Sequence, residues 1–297
     1  MIQLHCTYPG HGGAVYCLAP GRSESTFLSG SSHGFVAGWD LIKGTPESFS
    51  INVGKTIYSM LHLPGDRLLI GCGNGDMHLI DLQEKKELRF IQLHKNGVFD
   101  LKRLRDGRIL SAGGDGKLCI WEDQLDLVRQ IPVAEGKVRQ IAVNRIEDVI
   151  AIATQDGTIE VLDTEVFTPL HRFTHQERSA NAVTFHPTRP SLLSGGWDGH
   201  LYEWSLEEEM EVKRIPVHNF AIYRILALKE EELLITGSRD KTIKLWDLNT
   251  FEPIDKIERK NFDGHANSIN ALLWHKEQEK LVSAGDDTQI KAWRLTD

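Results

Sequence analysis

Apolar and polar residues along this chain fall into short runs that repeat with a fixed rhythm. The clearest copy is Leu234-Ile235-Thr236-Gly237-Ser238-Arg239-Asp240-Lys241-Thr242-Ile243-Lys244-Leu245-Trp246-Asp247-Leu248. Residues 234–237 are an apolar run closed by glycine. Residues 242–246 alternate, with Ile243 and Leu245 on one face, and 238–241 are turn formers. This is the pattern of a two-strand hairpin. Aligned on Trp246, it recurs at Trp39, Ile80, Trp121, Leu162, Trp204 and Trp293, with steps of 41, 41, 41, 42, 42 and 47 residues. Each repeat adds a short apolar strand before the hairpin (15–18, 98–101 and 269–272 are examples) and a variable strand after it (127–132, 253–258). The pattern predicts four-stranded units and no helix of useful length. The longest step places a small insertion at 259–263, and the charged runs 207–211, 229–232 and 276–280 read as solvated loops and turns.

The residues at fixed places in the repeat identify its kind. After the Trp position stand Asp40, Asp81, Glu122, Asp163, Ser205, Asp247 and Arg294, and about 28 residues before five of those positions stand His11, His94, His175, His218 and His265. Two of these follow glycine, as Gly10-His11 and Gly264-His265. A period near 40–45 residues with a Gly-His start and a Trp-Asp end resembles the WD40 repeat family. The resemblance covers essentially the whole chain. It implies an all-β, seven-bladed WD40 β-propeller, with residues 1–297 as one propeller. Residues 2–8 alternate and precede the first Gly-His, whereas the last repeat ends after its third strand. The expected closure pairs residues 2–8, as outer strand, onto the last blade, which removes an open sheet edge.

Composition adds limits. The 297 residues are 40% hydrophobic and 26% charged, with net charge −8. That charge speaks against broad nucleic-acid binding. No apolar run reaches the length of a membrane span, so no membrane partner is expected. Cys6, Cys17, Cys72 and Cys119 are scattered with no CxxC pair, which fits free thiols in a reducing setting; a cytoplasmic location is expected, with a nuclear one left open. The GKT of residues 54–56 lacks the first glycine of a phosphate loop, since Phe49 stands there. The histidines lack ligand spacing, so neither a metal nor a cofactor is expected.

Ser, His and Asp recur in a way that imitates a hydrolase triad. The sets are His94/Ser111/Asp115/Trp121, His175/Ser194/Asp198/Trp204, His218/Thr236/Asp240/Trp246 and His265/Ser283/Asp287/Trp293. An enzyme needs one nucleophile in one pocket, not four copies around a ring. In the family these residues form a structural network inside each blade: indole to hydroxyl, hydroxyl to imidazole, imidazole to the turn Asp. The first repeat has His11, Ser29 and Trp39, with His33 in place of the Asp. The second (Asn52, Ile70, Asn74, Ile80) and fourth (Ala134, Ile152, Asp156, Leu162) exchange the network for apolar packing.

The resemblance also implies where a partner binds. In the family the top face is built by the loop before the inner strand and by the turn between the second and third strands. Two sets of positions recur there: Tyr16, Tyr58, Phe99, Arg139, Asn181, Tyr223 and Asn270, then Ser32, Gly73, Gly114, Gln155, Trp197, Arg239 and Asp286. Tyr, Trp and Arg dominate interface energetics. The candidate partner-binding residues are Tyr16, Tyr58, Phe99, Arg139, Trp197, Tyr223, Arg239 and Asp286. An acidic or aromatic-and-acidic segment would suit Arg139 and Arg239, although Asp286 makes the patch mixed. The expected protein is a non-catalytic protein–protein scaffold or adaptor, a monomeric propeller able to join a larger complex. The rival readings are a propeller-based enzyme and a chromatin or nucleic-acid adaptor.

Overall fold

In the computed structural model, which describes residues 2–144, 146, 148–174 and 179–295, 28 strands form seven four-stranded antiparallel sheets. The first blade runs outward through Val15–Pro20, Thr26–Ser31, Phe35–Asp40 and Thr45–Asn52. Five more blades repeat that order. Their inner strands are Ile57–Leu63, Val98–Arg103, Val138–Val143, Ala180–Phe185 and Ile222–Leu228. The last blade takes Ile269–His275, Lys280–Gly285 and Ile290–Leu295 from the end of the chain and its fourth strand, Ile2–Tyr8, from the beginning. That strand pairs antiparallel from Ile2 with Leu295 to Tyr8 with Ile290. The ring is thus a seven-bladed propeller closed across its two ends.

Each seam between blades holds one apolar cluster. Trp39, Trp121, Trp204, Trp246 and Trp293 each lie in the seam with the preceding blade, and Ile80 and Leu162 occupy the same place in blades two and four. Burial of these faces is what makes the repeats cohere. At the closing seam Tyr8 is fully buried, with its ring 5.3 Å from Phe27 and 5.4 Å from Trp39. Its hydroxyl donates to the Asp40 carbonyl at 3.1 Å. His5 Nε2 and Lys280 Nζ both reach the Leu41 carbonyl, at 3.0 and 3.1 Å. Lys280 is buried, so the charged run 276–280 is not wholly a solvated loop; its last residue is a closing pin. The insertion at 259–263 contains a single-turn helix, Arg259–Phe262.

Around the axis, polar side chains among the described residues stitch neighbouring inner strands together at five of the seven junctions. Ser59 Oγ donates to Val98 O, Asp100 accepts from Ile141 N, Gln140 accepts from Val183 N, Asn181 donates to Ile222 O and Asn270 donates to Val15 O, at 2.8 to 3.3 Å. These bonds satisfy polar groups facing the channel and fix the inner strands relative to one another.

Candidate top-face interface

Two backbone devices, repeated in all seven blades, aim side chains at the mouth of the channel. The first is a bulge. Pairing of the first two strands skips one residue, between Val15 and Cys17 in blade one and between Ile57 and Ser59 in blade two. The same skip follows Val98, Val138, Ala180, Ile222 and Ile269. The skipped residues are Tyr16, Tyr58, Phe99, Arg139, Asn181, Tyr223 and Asn270, the first recurring set read from the sequence. A bulged residue leaves the alternation and its side chain is re-aimed; here it is re-aimed toward the axis.

The second device is a backbone hydrogen bond. Ser32, Gly73, Gly114, Gln155, Trp197, Arg239 and Asp286 each donate their amide to the carbonyl of the residue before the inner strand: Ala14, Thr56, Gly97, Lys137, Ser179, Ala221 and Ser268. The second recurring set is therefore pinned beside the first.

Together they line a cavity of about 760 Å³. Tyr16, Tyr58, Phe99, Arg139, Trp197, Tyr223 and Asp286 all contribute, with Gln155, Asn181 and Asn270. Tyr16 meets Tyr58 edge-on at 5.4 Å, and Tyr58 stacks on Phe99 at 5.0 Å and 14°. Arg139 then lies 5.3 Å from the Phe99 centroid. Arg239 does not line this cavity. Its guanidinium sits 5.5 Å from the Trp197 ring and 6.0 Å from the Phe220 ring, between two aromatics that are 47% and 57% exposed. Asp286 stands exposed on the neighbouring blade seven and accepts from Asn270 at 2.7 Å.

Some lining or flanking residues escaped the sequence reading, among them Phe220, Arg224 and Lys137. Phe220 belongs to neither recurring set. Arg224 follows the bulge residue Tyr223 and lies at the floor, its guanidinium donating to Tyr223 O at 2.8 Å. Burial pulls its pKa down, and Asp100 opposes that shift. Lys137 had a readable signal: its six counterparts are Ala14, Thr56, Gly97, Ser179, Ala221 and Ser268, all small, and Lys137 alone is long and charged. Its ammonium lies 5.2 Å from the Phe99 centroid, over the ring that Arg139 also covers.

The Ser/His/Asp sets lie within the blades, away from this mouth. In blade three His94 Nδ1–H donates to Asp115 at 3.1 Å, Ser111 bonds His94 Nε2 at 2.7 Å, and the Trp121 indole donates to Ser111 at 2.9 Å. Blade six matches with His218–Asp240 at 2.9 Å, His218–Thr236 at 2.8 Å and Trp246–Thr236 at 3.1 Å. Blade seven has His265–Asp287, His265–Ser283 and Trp293–Ser283 at 2.9, 2.9 and 2.8 Å. In blade one His11 and Trp39 both bond Ser29 at 2.7 Å. In blade five Trp204 donates to Ser194 at 2.7 Å, while Asp198 accepts from the Tyr202 hydroxyl; His175 lies outside the described residues. Ser29, Ser111, Ser194, Thr236 and Ser283 are all fully buried. Each hydroxyl is already engaged, and a hydroxyl sealed from solvent is no nucleophile for an incoming substrate. Among the described residues no group of three or more His, Cys, Asp and Glu could hold a metal ion. All four cysteines are free thiols, and burial pushes Cys17, Cys72 and Cys119 up to about 12.

The class is now defined: a rigid propeller with an aromatic and cationic channel mouth. The WD40 family (WD domain, G-beta repeat) matches residues 2–40, 85–122, 167–205, 210–247 and 257–294. The chain belongs to that family. The matches pass over blades two and four, which lack the His, hydroxyl and Trp, yet both are four-stranded blades like the rest. Among its relatives is the U3 small nucleolar RNA-associated protein 4 homolog of Mus musculus, 26% identical over 82% of this chain and 45% of the relative. The human protein of that name is 26% identical over 69% of this chain and 39% of its own length. The serine-threonine kinase receptor-associated protein of Gallus gallus is 22% identical over 81% of this chain and 68% of its own length. The chain spans less than half the length of the first two relatives.

Proposed function

We propose that this propeller is a non-catalytic interaction platform that captures a peptide or a protein surface at the top-face channel mouth. The observation that carries the reading is the cavity of about 760 Å³ in which seven of the eight candidate residues meet. Both backbone devices hold those side chains before any partner arrives. Preorganisation of this kind lowers the entropy lost on binding. Trp197, Arg239 and Phe220 form an exposed flank beside the cavity, and stacked Arg and Trp suit an interface anchor.

The test is affinity capture with the wild type and with Trp197→Ala/Arg239→Ala. Both side chains are exposed, so the double variant keeps its melting temperature while captured partner falls by about ten-fold or more. Unchanged capture, or loss of the fold, would count against this face. A second reading, membership of an RNA-associated assembly, is favoured by the names of the first two relatives, and those names favour a nuclear setting over the expected cytoplasmic one. Direct RNA binding by this chain would be measured by filter retention of a structured RNA, and the net charge of −8 argues for a null result.

A further inference from the structure

Lys137 and Arg139 are two cations placed over one ring. Their charged groups lie 5.2 and 5.3 Å from the Phe99 centroid. Both are partly buried, and burial pulls the pKa of each down, with Arg139 adding to the effect on Lys137. Like charges in a partly desolvated mouth repel each other unless an anion joins them. Arg139 Nε is buried without a hydrogen-bond partner, and among the described residues neither side chain forms an ion pair. Among the described residues two carboxylates line the cavity, and both are engaged elsewhere. Asp156 is held by Thr154 and Thr158 of its own turn, and Asp286 by Asn270. Arg224, deeper in the channel, has Asp100 as its neighbour. Lys137 also breaks the repeat, as the long residue at a position where six siblings are small.

Resting on the platform reading, we infer that the mouth is a built carboxylate site. Its occupant is a peptide segment that seats an Asp or Glu side chain between Lys137 and Arg139 and lays an adjacent aromatic side chain on the Tyr16–Tyr58–Phe99 arc. The guanidinium fork matches a carboxylate in two parallel hydrogen bonds. A dianion fits less well, because Asp286 faces the same cavity. Ring-on-ring contact fixes the neighbouring residue without demanding one sequence.

The probe is a displayed library of random heptapeptides selected against the intact chain, followed by Kd measurements on the best peptide. The expected result is enrichment of Asp or Glu beside Phe, Tyr or Trp. Lys137→Gln and Arg139→Gln each weaken that peptide about ten-fold or more, with melting temperatures unchanged, and replacing its acid by the amide in the peptide does the same. Arg139→Lys restores part of the binding, which a purely structural role would not require. Selected peptides that depend on Trp197 but carry no acidic bias overturn the carboxylate site and leave the platform reading standing. Selected peptides with no dependence on any top-face residue overturn both, as does a failure to select any. A phosphoserine peptide that binds about ten-fold tighter than its Glu counterpart reassigns the anion and overturns the choice of carboxylate.

Discussion

Blades three, six and seven carry a full His–hydroxyl–Trp–Asp network; blades two and four carry none. In the first group a fully buried hydroxyl joins an indole to an imidazole, and the Asp also accepts the amide of the residue after the His, at 3.2 Å from Lys95, 3.1 Å from Asn219 and 2.8 Å from Ala266. In the second group Ile70 and Ile152 stand where the hydroxyl would be, fully buried among apolar neighbours from the preceding blade. Both groups have the same strand order, the same inner-strand bulge and the same pinning amide: Gly73 to Thr56 at 2.7 Å and Gln155 to Lys137 at 2.8 Å, against Gly114 to Gly97 at 2.8 Å. The blade is thus specified by apolar alternation and turn geometry. The network is an added lock that ties the loop before the inner strand to the hairpin turn. Blade four, which lacks it, is the one whose loop carries Lys137 into the mouth.

Blade seven allows the sharpest break of this comparison, because it has a complete network but borrows its outer strand from the other end of the chain. If networks held the ring, removal of residues 2–8 would be tolerated. If packing holds it, the deletion strips Tyr8 from its seam with Phe27 and Trp39, opens an edge along Ile290–Leu295 and frees the Leu41 carbonyl from His5. Exposed edges template aggregation. The expected outcome is loss of a cooperative melt and of monodisperse elution. A deletion variant that elutes and melts like the wild type would return the credit to the network.

A smaller effect separates the two groups directly. Asp240→Ala takes the carboxylate acceptor from His218 Nδ1 and the Asn219 amide inside blade six and leaves His218 Nδ1 only the Thr242 hydroxyl at 3.2 Å, at a cost of about 1–3 kcal/mol. Asp156→Ala in blade four removes only bonds within one turn, to Thr154 and Thr158, and costs about 0.5–1 kcal/mol. Chemical denaturation of both variants measures the gap. Equal losses would mean that the network adds nothing to an ordinary turn cap.

The fold was legible because its signal is redundant: seven copies of one period, a Trp or an aliphatic residue in register, a spare strand at the beginning and a repeat one strand short at the end. No single repeat carries that weight, and the Ile80 and Leu162 copies are readable only beside their siblings. The composition of the mouth was legible as two recurring positions. The reason those positions face the axis was not, because a bulge is a matter of hydrogen-bond register between strands, and register leaves no mark on residue type when the bulged residue can be Tyr, Phe, Arg or Asn. Lys137 shows the converse case. Its chemistry stands plainly in the sequence, but it matters only through Arg139, two residues on, and through Phe99 of the preceding blade. Such meetings across a seam need coordinates. Phe220 meets Arg239 within one blade, but their separation of 19 positions hides that contact too.

An effect that emerges only on acidification concerns blade one, intermediate between the two groups. His11 bonds Ser29, but His33 stands where blades three to seven place Asp. Burial, with His33 as a lesser cause, lowers the His11 pKa to about 4 from 6.5. Native His11 therefore stays uncharged until the pH is near 4, whereas the unfolded chain takes up its proton near 6.5. Stability from this residue is fully present above 6.5 and is lost as pH falls through that window. Burial also lowers His94 and His218, but there the partner Asp pulls the pKa back up, which weakens their share of the same loss. His11→Gln keeps a polar side chain beside Ser29 and cannot titrate. The variant is expected to be less stable than wild type at pH 7.5 and to lose less on acidification, so that the two melting temperatures converge between pH 6.5 and 4. Parallel curves over that range would show that blade one, like blades two and four, draws its stability from packing and that its imidazole contributes nothing dependent on charge.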